Sequence, residues 1–155
     1  YHFIGYLQKN KVKYLIGKTC LIQSCDRDEI LLEISKQSVK NNVVTNVLIE
    51  VNNGVEEEKH GYNFFEVENA CKYAVSLPNI NLKGLMAMLP NTDNETVLTD
   101  TAKKIRNLYD NLKNEYGFEY LSVGMSNDYK IAIKNGSNMI RLGTAIFGQR
   151  NYGVK

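Results

Sequence analysis

The sequence is short of the features that mark membrane, nucleic-acid-binding and disulfide-rich proteins. No apolar run approaches the roughly 18 residues that cross a bilayer, so no membrane span is predicted. The 19 basic and 17 acidic residues give a net charge of +2, which provides no electrostatic patch for nucleic acid or an anionic membrane. The three cysteines form no CxxC pair, so we expect reduced thiols in a cytoplasmic protein rather than a disulfide framework or a zinc site.

The sequence does contain enough apolar material for one domain. With 155 residues, 43% of them hydrophobic, the chain can enclose a core, and we predict a single domain over residues 1–155. His2 and His60 lie too far apart in sequence to suggest a metal site, and none is predicted. The chain begins with Tyr1, without an initiator Met or a signal peptide, so we expect it to start inside a domain whose N-terminal part is missing.

Short apolar runs alternate with segments of helical period along the whole chain. Strands are predicted at residues 2–7, 20–25, 46–52, 82–88, 120–125 and 139–142. Helices are predicted at residues 28–40, around 64–74, at 98–116 and at 128–134. We expect Asp26 to cap the first helix and Gly117 to end the longest one.

This alternation predicts an α/β protein with parallel strands and right-handed crossovers. A doubly wound sheet and a (β/α)8 barrel fit the pattern equally well. A barrel typically needs eight strand–helix units and roughly 250 residues. On the barrel interpretation, about two units are therefore missing from the chain.

Glycine and hydroxyl residues follow the last two predicted strands directly. Because the carboxyl ends of parallel strands meet at one edge, we expect Ser126, Gly143 and Thr144 to converge. Glycine allows close approach of the backbone, and a hydroxyl together with free N–H groups can cradle a phosphate. The alternative is that Gly124 and Gly143 relieve packing while Ser126 only caps a helix.

Five specific motifs occur in order along the sequence. They are HFIGYLQKNK at 2–11, the segment 51–61, GLM at 84–86, GMSND at 124–128 and RLGTAIFG at 141–148. Together they closely resemble the pyridoxal phosphate homeostasis proteins, which are relatives of the N-terminal barrel of alanine racemase. The resemblance runs from residue 1 to about residue 152. It implies a (β/α)8 TIM barrel of the alanine racemase N-terminal type, with about strands three to eight present, and pyridoxal 5′-phosphate as the cofactor.

The resemblance also implies roles for individual residues. Ser126, Gly143 and Thr144 match the phosphate site, and Arg141 matches an arginine that faces the pyridine nitrogen. A guanidinium stays protonated, so it favours an unprotonated ring nitrogen and makes the ring a poorer electron sink. That property suits a carrier of the cofactor. The alternative for Arg141 is a pair with a surface carboxylate.

Further pocket residues are predicted with less specific motifs. His2, Met86 and Met125 are assigned to the cofactor pocket. His2 could instead be a hydrogen-bonded core histidine, and Met86 could be a core filler. Asn52 ends a strand and could approach the ring, whereas His60 is expected on a solvated loop.

One family residue has no counterpart in the sequence. The lysine that holds the cofactor covalently, as a Schiff base, lies in this family on the first barrel strand, which would precede Tyr1. None of the 15 lysines matches that position, so no catalytic residue is named.

The leading functional prediction is a pyridoxal phosphate binding protein of cofactor homeostasis with little or no catalysis, monomeric when full length. The alternative is a pyridoxal-phosphate-dependent enzyme resembling an amino-acid racemase. A third possibility is that the chain binds only phosphate, or nothing.

Overall fold

A computed structural model describes residues 1–54 and 60–149, and strands and helices alternate within them. The strands are β1 (His2–Phe3), β2 (Leu21–Cys25), β3 (Thr45–Val51), β4 (Ile80–Ala87), β5 (Tyr120–Met125) and β6 (Met139–Arg141). The α-helices are α1 (Asp28–Lys40), α2 (Val67–Ser76), α3 (Glu95–Tyr116), α4 (Tyr129–Lys134) and α5 (Thr144–Phe147). A 3-10 helix, Lys9–Tyr14, lies between β1 and β2.

The strands form one sheet in which every neighbouring pair is parallel. Their order across the sheet, β1-β2-β3-β4-β5-β6, is their order along the chain. A doubly wound sheet reverses its order at a switch point, and the described strands show no reversal. The fold is therefore a parallel α/β half-barrel of six strands, consistent with an incomplete TIM barrel.

The sheet curls strongly around its inner face. The hydroxyl of Ser122 on β5 donates to Gln23 Oε1 on β2 at 2.6 Å, although β3 and β4 lie between those strands. In a flat sheet, strands three positions apart would be separated by about 14 Å, because neighbours are spaced by about 4.8 Å. The short bond between them shows that the inner face encloses a lumen.

Apolar side chains pack on both faces of this curved sheet. The larger layer lies between the sheet and the helices, where Ile34 of α1 and Ile105 of α3 are fully buried. A smaller cluster on the lumen side consists of Leu21, Leu48 and Met86. Within the two described ranges, no helix has both the length and the apolar character that crossing a membrane demands.

The longer predicted elements are confirmed. Helix α1 has the predicted bounds, strand β5 does too, and Gly117 ends α3 with a left-handed φ of 65°. The prediction that Asp26 caps α1 is wrong. The helix begins at Asp28, which makes Arg27 the capping position, and the buried Asp26 carboxylate instead pairs with Arg27 Nη1 at 2.6 Å.

Short elements differ from the predictions. Only two residues of the predicted strand 2–7 pair with β2, and the resulting strand β1 lies at the edge of the sheet. Two short helices, Lys9–Tyr14 and α5, were not expected from the sequence. The predicted strand at 139–142 is one residue shorter, and the strand at 82–88 begins two residues earlier, at Ile80.

Candidate functional site

A large cavity opens on the lumen side of the sheet, toward the carboxyl ends of β4, β5 and β6. Its volume is about 960 Å³. The seven residues that the sequence assigned to a cofactor pocket all line it: His2, Met86, Met125, Ser126, Arg141, Gly143 and Thr144. The structure therefore brings together residues that are up to 142 positions apart in the chain (from 2 to 144).

Ser126 joins the loop after β5 to the start of α5. Its Oγ accepts hydrogen bonds from Gly143 N at 3.2 Å and from Ala145 N at 3.1 Å. Ser126 thus caps a helix, as the alternative interpretation held, but the helix is α5 and not the one that follows Ser126 in sequence. Both contacts use the oxygen as an acceptor, so the hydroxyl proton remains available as a donor.

The two glycines beside Ser126 have different physical explanations. Gly124 has a φ of +106°, and a Cβ there would lie 2.7 Å from Ala132 Cβ, so packing and backbone conformation both require glycine. Gly143 has a φ of −118°, which any residue adopts, and an added Cβ would meet no atom within 4 Å. The packing interpretation therefore holds for Gly124 and fails for Gly143.

Arg141 is held by three oxygen atoms of the protein. Its Nη1 donates to Ser122 O at 2.8 Å and to Ser122 Oγ at 2.7 Å, and its Nη2 donates to Ala87 O at 2.9 Å. No ion pair to Arg141 occurs among residues 1–54 and 60–149, so the alternative of a surface salt bridge does not describe it. Burial lowers the pKa of the guanidinium, against the opposing effects of Glu50 and Asp128.

The alternatives given for His2 and Met86 have different outcomes. His2 is exposed at the cavity wall, not buried in a core, and its Nδ1 accepts from Gln23 Nε2 at 3.1 Å. Met86 is 2% exposed and belongs to the lumen cluster, so it is both a filler and a wall of the cavity. Met125 also lines the cavity and is exposed.

Three polar residues of the lumen were missed by the sequence analysis. Gln23, Glu50 and Ser122 are each no more than 4% exposed, and each lies within a mainly apolar strand. The signal was present, because a polar residue that alternates with buried apolar neighbours in a parallel strand points to the interior of a barrel. This pattern alone does not predict a role for the three residues, because the sequence does not identify their partners on the other strands of the barrel.

Glu50 is a buried carboxyl group that interacts electrostatically with Arg141. Burial raises its pKa from 4.5 to about 7, the Asp26 carboxylate adds to that rise, and Arg141 opposes it. A carboxyl group with this pKa changes its charge in the neutral range. The lumen therefore carries a pH-dependent charge beside the arginine.

The remaining predicted residues lie away from the cavity or outside the described residues. His60 is half-exposed, as expected, and stacks on Tyr6 with a ring separation of 4.2 Å. Asn52 accepts from Gly54 N at 2.9 Å and does not line the cavity. Residues 55–59 of the 51–61 motif, Lys59 among them, lie outside the described residues. In the part of the chain that the structure describes, no cluster of His, Cys, Asp and Glu side chains could hold a metal ion.

Comparison with known proteins places this geometry among relatives. Residues 2–151 match the family model for the alanine racemase N-terminal domain. The chain is 45% identical to the pyridoxal phosphate homeostasis protein of Aquifex aeolicus over 154 residues, which cover 98% of the chain and 68% of that protein. It is 36% identical to the protein of the same name from Escherichia coli over 157 residues, covering 100% and 67%. The chain spans about two thirds of the length of these curated relatives.

Solved structures show the same fold. A crystal structure of an unknown protein from Bifidobacterium adolescentis has a TM-score of 0.90 at 32% identity, with 94% of this chain and 60% of that chain covered. The structure of PipY from Synechococcus elongatus, with pyridoxal phosphate bound, has a TM-score of 0.83 at 21% identity, covering 95% and 69%. At that identity the second likeness concerns the fold alone.

Proposed function

Because the chain belongs to the family of pyridoxal phosphate homeostasis proteins, we propose that its cavity binds pyridoxal 5′-phosphate. The protein acts in homeostasis of this cofactor and has little or no catalytic activity. Residues 1–155 form one domain whose six strands correspond to strands three to eight of a (β/α)8 barrel. We place it in the cytoplasm, as a monomer when full length.

The single observation that carries this proposal is the pairing of Ser126 with Gly143 at the cavity wall. Ser126 keeps a hydroxyl donor, and Gly143 leaves open the space that a Cβ would take. Thr144 follows with an exposed side chain. Hydroxyl donors of this kind suit the oxygens of a phosphate monoester. The residues present therefore fit the phosphate end of the cofactor.

Arg141 fits the opposite end of the cofactor ring. Its three bonds to protein oxygens use three of its five N–H groups, so two N–H groups, one of them on Nε, remain for a ligand. Bound pyridoxal phosphate supplies an electron sink for carbanion chemistry, and a cation at its ring nitrogen weakens that sink. The guanidinium thus favours holding the cofactor over using it. A racemase-like enzyme is supported by the fold alone, since an alanine racemase of Clostridium difficile is 16% identical.

The direct test is binding of pyridoxal phosphate to the full-length protein, measured by isothermal titration calorimetry. Ser126→Ala should weaken binding by roughly tenfold, the magnitude expected for one hydrogen bond to a charged group. The control is Ser76→Ala, because Ser76 bonds only to Tyr73 O on α2. No binding by the unmodified protein would refute the proposal, and sustained alanine racemisation would replace it with the enzymatic alternative.

A further inference from the structure

A continuous chain of hydrogen bonds crosses the lumen from β6 to β1. Arg141 Nη1 donates to Ser122 Oγ at 2.7 Å, and Ser122 Oγ donates to Gln23 Oε1 at 2.6 Å. The amide nitrogen of Gln23 then donates to His2 Nδ1 at 3.1 Å and to Met139 Sδ at 3.2 Å. The donors in this series of hydrogen bonds all point in the same direction, from Arg141 toward His2.

Burial makes the middle of this chain rigid. Ser122 is fully buried and Gln23 is 2% exposed. In such surroundings an unpaired polar group is costly, so a complete network holds each member in one orientation. The Ser122 hydroxyl has one proton, and Gln23 Oε1 accepts it. As a result, Ser122 presents an oxygen lone pair to Arg141, and its proton points toward Gln23.

We propose that Gln23 is a positioning residue for Arg141, acting through Ser122. By fixing the Ser122 hydroxyl, Gln23 anchors Nη1 of the guanidinium and directs its remaining N–H groups toward the ligand. This inference rests on the proposed function, because it concerns the ring-nitrogen contact of bound pyridoxal phosphate. It assigns a role at the site to a residue on β2, far in sequence from the phosphate and ring contacts.

Glutamine is suited to this position because its amide is both a donor and an acceptor. Leucine would occupy a similar volume but would offer no acceptor to Ser122, whose proton could then turn toward Arg141. The bond from Nη1 to Ser122 Oγ would be lost or weakened, while the bonds from Nη1 to Ser122 O and from Nη2 to Ala87 O remain. The expected effect is therefore a misplaced guanidinium in a folded protein.

The experiment uses a ligand that reports the ring nitrogen without a covalent link. The probe is 4-deoxypyridoxine 5′-phosphate, which has the phosphate and the ring nitrogen but no aldehyde. Gln23→Leu and Ser122→Ala are compared with the unmodified full-length protein. The matched controls are Gln37→Leu, whose amide bonds Glu33 on α1, and Ser35→Ala, whose buried hydroxyl bonds a backbone carbonyl.

Two quantities are measured for each variant: the dissociation constant, and the pH at which the ultraviolet spectrum of the bound probe titrates. In the unmodified protein, a well-placed cation disfavours protonation of the ring nitrogen. Gln23→Leu and Ser122→Ala should therefore raise the pKa of the bound ring nitrogen and weaken binding at high pH by roughly fivefold. The two controls should change neither quantity. A purely structural role for Gln23 would alter the melting temperature without moving the titration.

The outcomes separate the inference from the proposed function. If the unmodified protein binds neither the probe nor pyridoxal phosphate, the proposed function and the inference both fall. If all variants bind with an unchanged titration, the inference is overturned and the proposed function stands. Should Gln23→Leu not fold, Ser122→Ala tests the same contact, since it removes the oxygen through which Gln23 acts.

Discussion

Replacing Glu50 with glutamine should change how the stability of the protein depends on pH. Glu50 is 4% exposed on the lumen side of β3, and it interacts electrostatically with Asp26 and Arg141. Burial is the largest cause of its raised pKa, and the Asp26 carboxylate is the second. Glutamine has nearly the same shape but stays neutral at every pH, so the substitution isolates the charge.

The magnitude follows from the two pKa values. The rise from 4.5 in the unfolded chain to about 7 in the folded protein corresponds to about 3 kcal/mol. Because the folded-state pKa is the higher one, protonated Glu50 contributes its full stabilisation below pH 4.5, and this is lost as the pH rises through 7. The glutamine variant lacks this dependence. Its free energy of unfolding relative to the unmodified protein should therefore increase by about 3 kcal/mol between pH 4.5 and 8.

Urea unfolding monitored by circular dichroism at several pH values between 4.5 and 8 measures this difference. The control is Glu68→Gln, because Glu68 pairs with Lys72 on the exposed face of α2. Its relative stability should vary by well under 1 kcal/mol over the same range. A constant difference between Glu50→Gln and the unmodified protein across this range would refute the reasoning, since it would mean that Glu50 does not titrate there.

Further substitutions at four positions test local features. Gly143→Ala should leave the unfolding free energy unchanged but weaken binding of pyridoxal phosphate in calorimetry. Gly124→Ala should lower the unfolding free energy by at least about 1–2 kcal/mol, because its φ is positive and an added Cβ would clash with Ala132. Equal destabilisation by the two would contradict this distinction. Ser126→Ala should cost about 1 kcal/mol in urea unfolding, since two backbone N–H groups lose their acceptor. Asn94→Ala should cost about 1 kcal/mol by removing the cap of α3, and Asn94→Ser should restore most of it.

The sequence predicts the parts of the fold that repeat a pattern. Helix α3 has apolar residues at three- and four-residue spacing over six turns, and its end at Gly117 follows from a left-handed cap. Helix α5 spans four residues, too few to show any period. The 3-10 helix Lys9–Tyr14 carries lysines at alternate positions, and only Val12 is buried, so its sequence resembles a loop.

Some residues of the candidate site can be predicted from local sequence patterns, and others cannot. Ser126, Gly143 and Thr144 could be placed together because they directly follow neighbouring strands, and all three line the cavity. Gln23 could not be placed, since its partner Ser122 lies 99 residues away and only the curvature of the sheet brings them together. A contact across a barrel depends on strand order and closure, which a local pattern does not encode.

The sequential order of the strands has a consequence for how the chain folds. Each strand pairs with the strand that precedes it in the chain, so the sheet can grow by one strand–helix unit at a time, and each step closes a single crossover connection. The bond between Gln23 and Ser122 is the exception, because it needs β2 to β5 in register first. We therefore expect the lumen network to form late in folding, after the rate-limiting barrier. Substitutions within it should accelerate unfolding and leave the folding rate nearly unchanged.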